Sequence, residues 1–183
     1  MPSLLVPFLA VCVLLAGAGV GKLRRPAGTA QALRTQGLPS SLHLVRALGA
    51  AEVVLAAAAA AQLPGTAVLL AVAYAGFTGF VLLAVLRGRP LSSCGCFGEP
   101  DLPPNRVHAV VTAAAAACGV AVAVGPGAGL PALGALGPGT AVAAAGGVAL
   151  TTWLAYLVLT GLPRLAVAAA LVSPAPGPRS ASS

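Results

Sequence analysis

Two cysteines one residue apart are the part of this sequence best suited to chemistry. Cys94 and Cys96 flank Gly95 in the segment CGCFG. Glycine gives the backbone freedom to turn, so the two sulfurs can approach disulfide distance. The ring that such a bond closes is small, and a strained disulfide is easily reduced. Such a bond suits thiol–disulfide exchange better than a permanent structural cross-link. We therefore interpret Cys94 and Cys96 as a candidate redox pair.

Basic side chains lie on both sides of this pair. Cations stabilise the thiolate, the form that attacks a disulfide or binds a metal, whereas Glu99 and Asp101 oppose that effect. Three other interpretations stay open: a fortuitous pair, a structural loop disulfide, and a copper(I) or zinc site in which His108 supplies a third ligand. The flanking cationic candidates are Arg87, Arg89, Arg106 and His108.

The composition predicts that the elements positioning the pair lie in a membrane. Hydrophobic residues make up 58% of the 183 residues and charged residues only 7%, against about 25% charged in a soluble domain. A lone span in lipid must satisfy its backbone groups internally, so it forms a helix. We predict an all-α integral membrane bundle. The net charge of +7 does not indicate nucleic-acid binding, because the charges lie at the ends of apolar segments, where they set membrane orientation.

Five apolar stretches reach the roughly 20 residues that cross a bilayer. We predict four core spans plus a fifth, in one transmembrane domain over 1–172, followed by a disordered tail over 173–183. The Gly/Pro-rich connection 125–139 is expected to be a flexible outer loop. No cation precedes the first span, so we expect an uncleaved helix rather than a signal peptide. The predicted spans are 3–21, 43–63, 65–86, 107–124 and 140–162.

The distribution of lysine and arginine predicts the orientation. All ten lie on one side of the five-span arrangement, and cationic loops face the cytoplasm. The N-terminus is therefore expected outside, and the Cys94/Cys96 loop in the cytoplasm, in a multi-pass protein of the cell inner (plasma) membrane. The residues counted are Lys22, Arg24, Arg25, Arg34, Arg46, Arg87, Arg89, Arg106, Arg164 and Arg179.

Glu52 lies inside the second span, where a carboxylate is costly unless it is protonated or paired. Its role is either protonation coupled to thiol exchange or a structural hydrogen bond to a neighbouring helix. Lys22 and Arg46 lie near span ends, and we expect both to anchor the protein at the headgroups. Cys12 and Cys118 lie at similar predicted depths; they are either a path for electrons across the bilayer or small buried hydrophobic residues.

The order of three features resembles the MauE family of methylamine-utilisation membrane proteins, relatives of the DoxX-like proteins. These features are Gly21-Lys22-Leu23 closing the first span, Glu52 within the second, and the CGCFG segment after the third. The resemblance covers roughly 3–162.

The resemblance implies a multi-span helical protein that matures or exports the disulfide-rich small subunit of methylamine dehydrogenase. It implies a thioredoxin-like partner, a redox pair of Cys94 and Cys96, and Lys22 and Glu52 as accompanying polar positions. The distribution of lysine and arginine predicts that the cysteines lie inside the cell, whereas the client that the resemblance implies lies outside. Soft-metal or small-solute binding or transport, and a non-enzymatic assembly role, remain alternatives. The sequence contains no nicotinamide, flavin or phosphate-binding fingerprint, so we expect no cofactor.

Overall fold

The computed structural model of the chain describes residues 4–87, 106–125 and 127–172, with side chains as far as 161. Within these ranges every regular element is a helix, as the composition predicts. The candidate redox pair Cys94 and Cys96 and the predicted disordered tail lie outside the described residues. The helices are α1 (Leu5–Arg24), α2 (Pro26–Thr35), α3 (Leu42–Ala60), α4 (Thr66–Leu86), α5 (Arg106–Val124), α6 (Leu130–Gly134) and α7 (Pro138–Val172).

The five predicted spans are confirmed as helices long and apolar enough to cross a membrane. They are α1, α3, α4, α5 and the 138–161 part of α7. Each has about 19 or more residues, so at 1.5 Å per residue it reaches the roughly 30 Å of a hydrocarbon core. The protein is therefore an all-α membrane bundle that crosses the bilayer several times.

Two short helices and one long extension were not predicted. Helix α2 has only ten residues and begins at Pro26. Proline is tolerated there because backbone N–H groups in the first turn have no acceptor within the helix. The connection expected to be a flexible loop contains α6, which also begins with a proline in its first turn. Helix α7 continues past the predicted end at 162 as far as Val172. Short segments carry too little periodic signal for the sequence to reveal them.

Helix α1 forms the centre of the bundle and α7 its periphery. Among the spans α1 is the most buried and α7 the least. The most extensive packing is between α1 and α3 and between α4 and α5. One core cluster joins α1, α3, α4 and α5, with Phe8, Leu15 and Leu70 almost fully enclosed. These two antiparallel pairs therefore determine where the polar side chains meet.

The two ends of the bundle differ in charge. Helices α1 and α4 end, and α3 and α5 begin, at one end, which we call the charged end. Lys22 and Arg24 occupy the last turn of α1 there, and Arg106 begins α5. The segment that carries Cys94 and Cys96 connects Leu86 at the end of α4 to Arg106, so both of its attachments lie at the charged end.

Candidate functional site

Helices α1 and α3 approach each other closely at two glycines. A Cβ atom built on Gly19 would lie 2.6 Å from the carbonyl oxygen of Gly49, and one built on Gly49 would lie 2.7 Å from that of Gly19. Real Cβ atoms do not come so near to a carbonyl oxygen, so only glycine fits at either position. Small residues allow helix backbones to approach in this way in membranes.

A buried ion pair spans this crossing, because Lys22 packs against Gly49 and Glu52 against Gly19 on two antiparallel helices. Lys22 Nζ donates to Glu52 Oε2 at 2.8 Å, and each residue exposes only 3% of its surface. The expectation that Lys22 anchors the protein at the headgroups is wrong, because its ammonium group points into the bundle. Arg46, by contrast, is exposed. Of the two roles considered for Glu52, the structure shows a bond to a neighbouring helix.

The glycines make room for the pair. Gly19 precedes Lys22 by three residues, and Gly49 precedes Glu52 by three. A Cβ on Gly49 would lie 3.0 Å from Cβ of Lys22, so the missing side chain lets the lysine stem cross α3. Sequence analysis did not identify either glycine. The signal that could have revealed them is Gly-x-x-Lys in the first span paired with Gly-x-x-Glu in the second.

Helix α4 completes the site with an aromatic pair. Lys22 Nζ lies 5.2 Å from the centroid of the Phe77 ring, within the range of a cation–π interaction. The Phe77 ring meets the Tyr74 ring edge to face at 5.8 Å. The Tyr74 hydroxyl donates to the carbonyl oxygen of Val11 at 2.8 Å, which joins α4 to α1. Besides packing against Tyr74, Phe77 thus stabilises a buried cation.

A chain of hydroxyl groups joins α4 to α5 in the same half of the bundle. Thr78 donates to Oγ1 of Thr112 at 2.8 Å, and Thr112 donates to the carbonyl oxygen of His108 at 2.8 Å. His108 is only 2% exposed. Sequence analysis considered His108 as a ligand or a partner of the cysteines. The structure places it inside the bundle, in the first turn of α5, while both cysteines lie outside the described residues.

A small cavity lies between these side chains. Its volume is about 40 Å³, which is enough for roughly two or three water molecules. Such a cavity suits an ammonium group with three donor hydrogens, of which Glu52 accepts one. The other carboxylate oxygen of Glu52 is buried and has no hydrogen-bond partner among the described residues. The polar residues that line the cavity are Lys22, Tyr74, His108 and Thr112.

The two cysteines that the structure describes belong to one core cluster. Cys12 on α1 is buried, and Cys118 on α5 packs against the same group of apolar side chains. Both are free thiols. The structure thus brings together the two intramembrane cysteines that the sequence placed at similar depths. No group of three His, Cys, Asp or Glu side chains in the described ranges is placed to hold a metal ion.

The α4 attachment of the cysteine segment is fixed by a contact to α2. Arg87 Nη1 donates to the carbonyl oxygen of Gln36 at 3.3 Å. Phe80 and Ala84, in the last turns of α4, pack against Ala32 of α2. These contacts hold the end of α4 against α2. The bond between Thr78 and Thr112 joins α4 to α5 farther inside the bundle.

Comparison with known proteins identifies one family. A family model described as "Methylamine utilisation protein MauE" matches residues 2–128, which include α1 to α5 and end before α6. No curated protein and no solved structure matches the chain significantly. The matched range contains Gly19, Lys22, Gly49 and Glu52 as well as both cysteines of the CGCFG segment.

Proposed function

The chain belongs to the MauE family of methylamine-utilisation proteins, and from this premise we propose that it is a thiol–disulfide exchange protein of the membrane. The observation that carries the proposal is the CGCFG segment, which joins α4 to α5. Both attachments of this segment lie at the charged end, and both helices are bonded to each other or to α2. A redox pair on a segment whose two attachments lie at the same end of the bundle can meet a protein partner at that end.

The proposed reaction is an exchange of one disulfide for another. The thiolate of one cysteine attacks a sulfur of the partner's disulfide, and the S–S bond breaks as a mixed disulfide forms. The second cysteine then attacks the mixed disulfide and releases the partner with two thiols. Two electrons and two protons pass from the Cys94/Cys96 dithiol to the partner, and the same steps in reverse oxidise a partner dithiol. A thioredoxin-like protein supplies the dithiol or disulfide on the other side of the relay.

Lys22 and Glu52 act in this proposal as positioning residues. Their bond links α1 to α3, and the contact of Lys22 with Phe77 links both helices to α4. Since α4 leads directly into the cysteine segment, the ion pair positions the helix to which that segment is attached. Arg87 and Arg106, at the ends of the two helices, supply positive charge that favours the thiolate.

The proposed setting is methylamine metabolism, with the disulfide-containing small subunit of methylamine dehydrogenase as client. The positive-inside bias sets the cysteine segment on the cytoplasmic face of the plasma membrane. The client lies outside, so electrons then have to cross the bundle. Cys12 and Cys118, which share one cluster between the two faces, are the described thiols that lie on such a route.

Thiol trapping in intact cells and in isolated membranes tests the proposed function. Maleimide reagents that do or do not cross membranes are applied before and after mild oxidation, to the parent chain and to Cys94→Ala and Cys96→Ala variants. We expect Cys94 and Cys96 to lose and regain reactivity together, and to be labelled only by the permeant reagent in cells. We expect the buried thiol of Cys12 and the half-buried thiol of Cys118 to react with either reagent far more slowly than Cys94 and Cys96 until the protein is denatured.

Other results of the same measurement would contradict the proposal. If the pair stays oxidised under all conditions and the Cys96→Ser variant functions as well as the parent chain, the disulfide is a structural cross-link in a loop of an assembly subunit. Stoichiometric copper or zinc on the purified protein, with no oxidation-dependent change in labelling, identifies a soft-metal site. Labelling by the impermeant reagent from outside contradicts the orientation alone.

A further inference from the structure

A groove between α1 and α7 is separate from the polar site described above. Its volume is about 730 Å³, within the range of roughly 300 to 1,000 Å³ found for ligand sites. Small residues on both helices, among them Gly17, Gly21, Ala145 and Ala149, leave the space that larger side chains would fill. Because α7 lies beyond the residues matched by the family model, the family match says nothing about this groove.

The groove is apolar along its length and cationic at one end. Its α1 wall follows one face of the helix from Val13 to Gly21 and ends at Arg24 and Arg25, at the charged end. Both arginines are exposed, and no described carboxylate pairs with them. Trp153 and Tyr156, stacked at 5.9 Å, contribute the aromatic part of the α7 wall.

The length of the groove matches one leaflet of a bilayer. From Val13 to Arg24 is eleven residues, or about 16 Å at 1.5 Å per residue, and one leaflet of hydrocarbon is about 15 Å thick. Towards the other end α1 and α7 come together, since a Cβ on Gly147 would lie 3.4 Å from the side chain of Val6. A transmembrane helix of a partner needs a groove through both leaflets, whereas a lipid needs only one.

We propose that this groove is a binding site for a phospholipid with an anionic headgroup. The acyl chain lies along the small and apolar residues between α1 and α7, and the phosphate lies at Arg24 and Arg25. Guanidinium groups bind phosphate oxygens through charge-assisted hydrogen bonds, often two at a time. Basic pockets between membrane helices bind anionic headgroups by the same chemistry. The lipid thereby completes the packing of α7, the least buried span.

Native mass spectrometry of the purified full chain tests the proposal with two probe lipids. Phosphatidylglycerol and phosphatidylcholine with identical acyl chains are offered in equal amounts. Both lipids carry a phosphate, but the choline cation of phosphatidylcholine cancels its negative charge. We therefore expect two arginines to retain the net anionic phosphatidylglycerol preferentially, on the order of tenfold. The double variant Arg24→Gln/Arg25→Gln is expected to bind the two lipids equally. The control Arg34→Gln/Arg46→Gln removes the same charge from exposed arginines outside the groove, and we expect it to keep the preference.

A second pair of variants tests the apolar part. Ala149→Leu fills the groove and is expected to lower retention of both lipids severalfold, while Val142→Leu, at an exposed position of α7 outside the groove, leaves it unchanged. Equal loss of preference in both arginine double variants would show that net charge alone attracts the lipid. Retention unaffected by Ala149→Leu, or a second copy of the chain cross-linked into the groove, would likewise overturn the proposal.

Discussion

Gly19 and Gly49 face each other where α1 crosses α3, and each precedes one member of the buried ion pair by three residues. The crossing and the ion pair are thus one feature. The glycines set the distance between the two helix backbones, and that distance lets Lys22 Nζ reach Glu52 Oε2 at 2.8 Å. A carboxylate that would be costly in the bilayer is consequently paired.

We expect Gly49→Ala to destabilise the protein although alanine favours helix. The added methyl group would lie 2.7 Å from the Gly19 carbonyl oxygen and 3.0 Å from Cβ of Lys22, so the helices must separate. The cost should be roughly 1 to 3 kcal/mol of unfolding free energy, as for other overpacked sites. Reversible unfolding in mixed micelles measures it.

Gly76→Ala is the matched control for this change. Gly76 also lies within a spanning helix, but nothing lies within 4 Å of a Cβ built there. It should leave the protein unchanged or more stable by up to about 1 kcal/mol, because alanine is the better helix former. Equal effects of the two substitutions would show that the α1–α3 crossing tolerates a side chain.

Lys22→Met and Glu52→Met should each lower the free energy of unfolding, and the double variant should lose less than the sum of the two single losses. Each single change leaves one charge buried without its partner, at a cost of about 3 kcal/mol or more, whereas the double change leaves an apolar pair. A double-mutant cycle in unfolding free energy gives the coupling. Arg46→Met, at an exposed cation on α3, is the control and should have little effect. Additivity of the two single changes within about 0.5 kcal/mol would contradict a direct interaction.

Thr78→Val should loosen α4 from α5 next to the cysteine segment. It removes the hydrogen bond to Thr112 across the two helices, and such bonds in membranes contribute about 0.6 kcal/mol on average and up to about 1.7. The control Thr160→Val removes a bond to the Tyr156 carbonyl within one helix. We expect the larger loss of unfolding free energy for Thr78→Val. If the two variants are equally stable, the hydroxyl chain between α4 and α5 has no structural role.

The spans could be predicted from the sequence because one physical requirement decides them. A stretch such as 65–86 contains no charge and is long enough to cross the bilayer, and lipid leaves it no form but helix. The same reasoning identified Glu52 as a residue in need of a partner. It could not identify Lys22 as that partner, because a cation near a span end reaches the headgroups as readily as a neighbouring helix.

The details of packing could not be predicted, since they depend on which helix faces lie against each other. Gly17 and Gly21 have a GxxxG spacing that permits close helix approach, but the structure places them along the α1–α7 groove. The α1–α3 crossing is formed by Gly19 and Gly49. Both spacings look equally plausible in a chain with 23 glycines. The hydrogen bonds of Thr78 to Thr112 and of Tyr74 to Val11 join residues far apart in the chain, so the neighbouring sequence contains no pattern that predicts them.

Disulfide exchange by Cys94 and Cys96 is the central proposal for this protein, and capture of the exchange intermediate tests it most directly. A Cys96→Ala variant expressed in cells can form a mixed disulfide through Cys94 but cannot resolve it. After acid quenching and alkylation, non-reducing electrophoresis should show a reducible adduct of this variant with a second protein. The adduct should disappear in Cys94→Ala/Cys96→Ala and persist when Cys12→Ala and Cys118→Ala are added to the Cys96→Ala variant. If neither single variant, Cys94→Ala or Cys96→Ala, forms any reducible adduct while the proteins are stably present in the membrane, the proposed exchange does not occur.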